Sequence, residues 1–177
     1  HGLKTSARRD EVRSLARART LTVLSQLDGR RKGYLLRFLY EAGLIGARAP
    51  VITLGGGILG ESAVEETVLS RADLTDAMLS RVFLSGAYLT RVHLIRADLH
   101  SSNLDKANLS GADLRDANLT GASLKDAKLA SADLRGAVLA GANFSGADLR
   151  AAKVSPGQLA QVKSLAGAIL PDGSRQD

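Results

Sequence analysis

The sequence has no cysteine and no tryptophan, and aromatic residues make up only 3% of its 177 positions. Without thiols there is no disulfide framework, no thiolate nucleophile and no cysteine metal site, which fits a reducing compartment. Without bulky rings a broad globular core lacks its usual filling. The 45% that is hydrophobic is mainly Leu and Ala, which suffice only where a core is narrow and repetitive. No apolar run approaches the ~18 residues of a membrane-spanning helix, and no stretch has the pattern of a signal peptide. The chain reads as soluble, with the cytoplasm as its expected location.

The balance of positive and negative charge is uneven along the chain. Residues 1–50 carry eleven Lys/Arg against four Asp/Glu, a net of +7, whereas residues 69–154 carry eleven against nine, a net of +2. The basic character belongs to the N-terminal segment. The body of the chain is nearly neutral.

That body is periodic. Leu69, Leu74, Leu79, Leu84, Leu89, Leu94, Leu99, Leu104, Leu109, Leu114, Leu119, Leu124, Leu129, Leu134, Leu139, Phe144 and Leu149 follow one another at intervals of five. Two residues before each of Leu74 to Leu149, and again at 152, stands Ala, replaced only by Val82, Val92 and Ser102. On an α-helix a step of five rotates the side chain by about 140°, so these leucines would make no face. On a straight strand an odd step sends successive leucines to opposite sides. Both regular elements fail.

The conflict disappears if the chain turns after every five residues. Ala and the Leu two residues later then share parity and point inward, while the other three point outward. Four such sides close a square coil of about twenty residues that stacks on the next at about 4.8 Å through backbone hydrogen bonds. The expected fold is mainly β, with the leucines as the axial core.

The A-[D/N]-L-x-x pattern, as in Ala97-Asp98-Leu99, Ala117-Asn118-Leu119 and Ala132-Asp133-Leu134, resembles the pentapeptide-repeat family. The resemblance implies a right-handed quadrilateral β-helix; the spacing itself says nothing about hand. A degenerate first coil is expected from Pro50, where Ile52, Leu54, Leu59 and Val64 keep the inward register while Gly57 and Ser62 weaken it. The expected organisation is a helical cap at 1–49, a β-helix of about five coils at 50–154, and a helical cap with tail at 155–177.

An open stack needs covering at both ends. Val12, Ala16, Val23, Leu24 and Leu27 predict a helix over 8–27, and Leu35, Phe38, Leu39 and Ala42 predict a second, amphipathic one ending near Gly43. At the far end Ser155-Pro156-Gly157-Gln158 spells a capping box with Pro at the first helical position. Leu159, Val162 and Leu165 are assigned to the short helix that follows. Ala168 and Leu170 then repeat the Ala-x-Leu spacing before Pro171-Asp172-Gly173 turns the chain away. The segments Leu21–Leu24 and Leu35–Ile45 are also similar to the stretch preceding the repeats in certain bacterial and cyanobacterial family members. Many of those have membrane spans upstream, so membrane association of a longer, anchored protein is a second expectation.

Residues that could carry chemistry are few. Gly55-Gly56-Gly57-Ile58-Leu59-Gly60-Glu61-Ser62 approaches a phosphate-binding loop but has Glu61 where the motif needs Lys, and it reads as a flexible lead-in to the repeats. With Glu65 and Glu66 it leaves an enzyme or small-ligand site as one alternative, without specifying chemistry. His93 and His100 fall on adjacent sides of the square and do not converge on a metal. Asp113, Arg115, Asp133 and Arg135 form a balanced wall in which stacked Arg offset stacked Asp. Arg30-Arg31-Lys32 read as a solvated helix face, with anionic lipid or nucleic acid as the alternative.

The outward slots Met78, Phe83, Tyr88 and Ile95 hold apolar residues where later coils carry mainly Asp, Asn, Ser, Lys or Arg. They are candidates for docking the helical segment or a partner, on different sides of the coil. No enzyme, cofactor, metal site or small-molecule substrate is expected. The expected role is a scaffold for an unknown protein partner; the alternatives are a regulatory domain of a membrane-anchored protein and, because some pentapeptide-repeat proteins act on type II topoisomerases, DNA mimicry. A near-neutral wall disfavours mimicry, and direct nucleic-acid binding lacks exposed aromatics among the bases.

Overall fold

The computed structural model describes residues 2–42, 44 and 69–177. From Leu69 onward the chain bends at every fifth residue. The amide of each alanine position donates to the carbonyl of the preceding axial residue, as from Ala112 to Leu109 at 2.9 Å. Two residues past each axial Leu the backbone enters the left-handed region. Eleven non-glycine residues there have φ of 54° to 63°, and six glycines have φ of 65° to 74°. A bend with positive φ only at its third residue is a type II β-turn. Each non-glycine corner is strained by ~1 kcal/mol, and the repeated stacking bonds hold it there.

The Asp or Asn that recurs before the axial residue acquires a physical reason. Its Oδ1 accepts the amide two residues on, as from Ser110 to Asn108 at 3.2 Å and from Thr120 to Asn118 at 3.1 Å. These short polar side chains brace the start of the turn.

Coils stack in parallel with a step of twenty. Leu109 donates to the Lys128 carbonyl at 2.7 Å, and Lys128 donates to that of Ala107 at 2.9 Å. Each extended stretch is so short that it forms one bridge per coil rather than a longer strand. Four columns of bridged outward residues define four sides, led by Asp73, Met78, Phe83 and Tyr88 and called first to fourth in that order. Inside, the seventeen axial residues are at most 2% exposed and the alanine positions at most 6%. Burying each Leu stabilises the stack by roughly 1.5–3 kcal/mol. Ser102 occupies one alanine position, and its buried hydroxyl oxygen has no hydrogen-bond partner.

Helix α1 spans Gly2–Gln26 and α2 spans Gly29–Glu41. Asp28 begins α2 by accepting the Arg31 amide at 2.9 Å, as an N-cap does. Leu24, Leu36 and Leu39 are buried and belong to the same apolar cluster as the axial leucines. The faces differ from those expected from spacing. Val12, Val23 and Phe38 are exposed, and Leu36 is buried. Lys32, expected in solvent, is only 8% exposed, because positions 32, 36 and 39 share one face of α2. The expected first coil from Pro50, the Gly55–Ser62 segment, Glu65 and Glu66 lie outside the described residues.

At the C-terminal end Ser155 and Gln158 form the capping box and open α3 (Pro156–Leu159). This helix is a single turn, so Val162 and Leu165 lie beyond it rather than on it. The detour adds one residue, and the last bridges, Asn143 to Ser164 and Asp148 to Ile169, step by 21. Regular stacking would give the Ala137 carbonyl the backbone amide of residue 158. Instead the Gln158 side-chain amide donates to Ala137 at 2.8 Å and to Leu134 at 2.7 Å. After Pro171-Asp172-Gly173 the chain folds back, and Ile169 pairs antiparallel with Arg175. The expected turn away is therefore a return that covers the edge of the last coil.

Candidate functional site

With the interior filled by Leu and Ala, only outward positions are free to act on other molecules. Met78, Phe83 and Tyr88 take the outward slots on the second, third and fourth sides of one coil and are 50%, 47% and 54% exposed. In the columns above them stand Asp98, Asn103 and Asn108. Ile95 belongs to the next coil, follows axial Leu94 and is half-buried. The structure thus brings the first three into a belt around one level of the stack and sets Ile95 apart. They form no single patch.

The charged wall is arranged within sides. Arg115 grips Asp113 at 2.8 and 2.7 Å, Arg135 grips Asp133 at 2.8 and 2.6 Å, and Arg150 grips Asp148 in the same way. Residues two apart on an extended segment point to the same face, so each Arg folds back onto its own Asp. The Arg135 hydrogen bonds hold the Asp133 carboxyl down at about 2. Arg115 and Arg150 likewise lower Asp113 and Asp148. Arg96 makes the corresponding grip between coils, reaching Asp76 with two contacts of 2.7 Å.

His93 lies on the first side and His100 just past the second-side column. His100 Nδ1 sits 2.9 Å from Asp98. Burial opposes ionisation of Asp98, but its hydrogen bonds with the His100 side chain and backbone outweigh that and lower it. Among the described residues no group of His, Asp and Glu could hold a metal ion. Among them, too, no helix is long and apolar enough to cross a membrane.

Five-residue turns, twenty-residue coils and a dry Leu/Ala axis define a β-helical repeat protein. The family model for pentapeptide repeats matches eight copies between residues 59 and 155, in segments 59–91, 67–105, 84–121, 93–129 and 117–155. The chain belongs to the pentapeptide-repeat family, whose members fold as right-handed β-helices and are generally non-enzymatic scaffolds. No curated protein sequence matches it. Among solved structures it is similar to the pentapeptide-repeat protein Rfr23 from the cyanobacterium Cyanothece 51142, at 35% identity and a TM-score of 0.47, over 57% of this chain and 61% of that one. It is also similar to AT2G44920 from the Arabidopsis thaliana thylakoid lumen, at 26% identity and a TM-score of 0.41, over 60% and 70%. HetL, involved in heterocyst differentiation regulation in Nostoc sp. strain PCC 7120, matches at 27% identity and a TM-score of 0.26, over 75% and 86%.

The Asx-braced corners and the Gln158 plug are not evident from residue spacing. A recurrent Asp or Asn before Leu is the one signal for the first. The second has none, since a capping-box glutamine looks committed to its own helix.

Proposed function

We propose that this chain is a non-catalytic scaffold that presents its β-helix walls to a protein partner, with its helical segments closing the two ends of the stack. The observation that carries this reading is the belt of Met78, Phe83 and Tyr88, each about half exposed on a different wall. Large apolar side chains in slots that tolerate Asn elsewhere favour contact with another protein surface. DNA mimicry is disfavoured by the same walls, because Asp113, Asp133 and Asp148 are each neutralised by their own Arg.

The test is affinity capture with the immobilised chain and with a Met78→Asn, Phe83→Asn, Tyr88→Asn variant. Asn already occupies these columns at 103, 108 and 118, so the variant is expected to melt within a few degrees of the parent. A partner retained by the parent and lost by the variant supports the reading. Capture indifferent to all three substitutions, or no specific capture at all, overturns it.

A further inference from the structure

The four walls are not alike in charge. Counting the corner, the outward residue and the residue after Leu in each repeat, the first side holds Arg71, Arg91, Arg115, Arg135 and Lys153 against Asp73, Asp113 and Asp133. That is five cations against three carboxylates, a net of +2. The second side holds Arg96 against Asp76, Asp98 and Asp116, a net of −2.

On the first side the surface is also concave. A groove of about 550 Å³ runs along the stack, lined by the corner residues Arg71 and Arg91 and by His93, Asp113, Asp133 and Lys153 of the outward column. From Arg71 to Lys153 is four coil steps, about 19 Å at the spacing of stacked strands. The two corner arginines are placed at a conformational disadvantage, with φ of 63° and 54°. Arg96, at the equivalent corner of the next side, is held by Asp76. Among the described residues neither Arg71 nor Arg91 has such a carboxylate. Above Arg91 the corner is Gly111, where a Cβ would come within 3.3 Å of Arg91 Cγ. The glycine therefore leaves the arginine its path along the wall.

Length, charge and the chemistry of the lining narrow the occupant. A small anion would use only one end of the groove, since Lys153 stands four coils from Arg71. A single-stranded nucleic acid needs aromatic faces for its bases, but the aromatic outward residues of this coil, Phe83 and Tyr88, are on other sides. An extended peptide of about six residues matches the length at ~3.3 Å each. Its amides can donate to Asp113 and Asp133, and its carboxylates can pair with Arg71 and Arg91.

We infer that the first-side groove binds an extended, acidic peptide segment of the partner, with carboxylates seated on Arg71 and Arg91. The inference rests on the scaffold reading and adds to it a wall and a chemistry. It is tested by fluorescence anisotropy with labelled (Glu-Ser)4, (Lys-Ser)4 and an eight-residue oligothymidylate, added to the full chain at low salt.

Three proteins are compared: the parent, Arg71→Gly with Arg91→Gly, and a control carrying Lys106→Gly with Lys125→Ser. Both double variants remove two positive charges, but the control removes them away from the groove. The expected result is binding of the acidic peptide that weakens at least tenfold in the arginine variant and less than twofold in the control. The arginine variant should melt no lower than the parent, because glycine relieves both corners. No binding of the acidic peptide, equal loss in both variants, or equal or tighter binding of the oligonucleotide would each overturn the groove assignment. If the groove fails while partner capture still depends on Met78, Phe83 and Tyr88, the scaffold reading stands without it.

Discussion

The coil of residues 69–88 and the coil of residues 129–148 share an interior and differ almost everywhere outside it. In the earlier coil the corners are Arg71, Asp76, Arg81 and Gly86; in the later they are Ser131, Gly136, Gly141 and Gly146. The earlier outward slots include Met78, Phe83 and Tyr88, whereas the later ones are Asp133, Val138, Asn143 and Asp148. Inward positions in both are Leu, Phe, Val or Ala at no more than 5% exposure. The stacking bonds and the axis accept any exterior that can bend. Departure from glycine corners and polar slots in the earlier coil therefore marks residues free to serve something other than folding.

The strongest challenge to that comparison is to disturb the shared interior. Leu109→Ala, at 0% exposure, should lower stability by about 2–5 kcal/mol through lost burial and a cavity on the axis. Urea melts of Leu84→Ala and Leu139→Ala should show losses in the same range. A negligible loss in the earlier coil alone would mean that the two coils do not share one core.

Smaller effects sharpen the contrast. Gln158→Ala strips the added donor from the Leu134 and Ala137 carbonyls at the later end and should cost about 1–3 kcal/mol; thermal melting measures it. Corner chemistry is tested by a reciprocal pair at exposed later-coil positions. Gly141 has nothing within 4 Å of an added Cβ, so Gly141→Ala reads backbone strain alone, and Ala151, with φ of 55°, allows the reverse change. Gly141→Ala should destabilise and Ala151→Gly stabilise, each by about 1 kcal/mol in denaturant titrations.

The smallest effect is electrostatic. Asp133 is held below its ordinary 3.8, at about 2, by Arg135. Its folded-state value is depressed, so its stabilisation is fully present above about pH 4 and is lost as the pH falls through about 2. The grip is partly solvated, with Arg135 62% exposed, so the loss should stay below about 1 kcal/mol. Asp133→Asn should flatten the stability profile across that acid window, as followed by circular dichroism.

The repeat body is legible in the amino-acid sequence to a degree that the helical segments are not. A period of five is incompatible with helix or straight strand, and the Ala-to-Leu offset of two selects the inward face. The identity of the outward slots follows directly. In the helical segments, by contrast, Leu36 and Lys32 are buried while Phe38 is exposed. Apolar spacing marks a helix but does not say which of two plausible stripes finds a surface to cover. The groove is not legible either. Its lining residues come from five successive coils, Gly111 and Ser131 among them at the corners.

The order of residues alone is enough to dictate a five-residue turn with leucine inside, because no other backbone path keeps those side chains dry. Tertiary stacking decided what that order left open: residues twenty apart become neighbours, Gln158 fills a vacancy one coil below, and Arg71, Arg91 and Lys153 come to line one groove. Such arrangements depend on which side of the square each segment occupies and on how far each side chain reaches along the stack. Those quantities exist only after the coils have closed on one another.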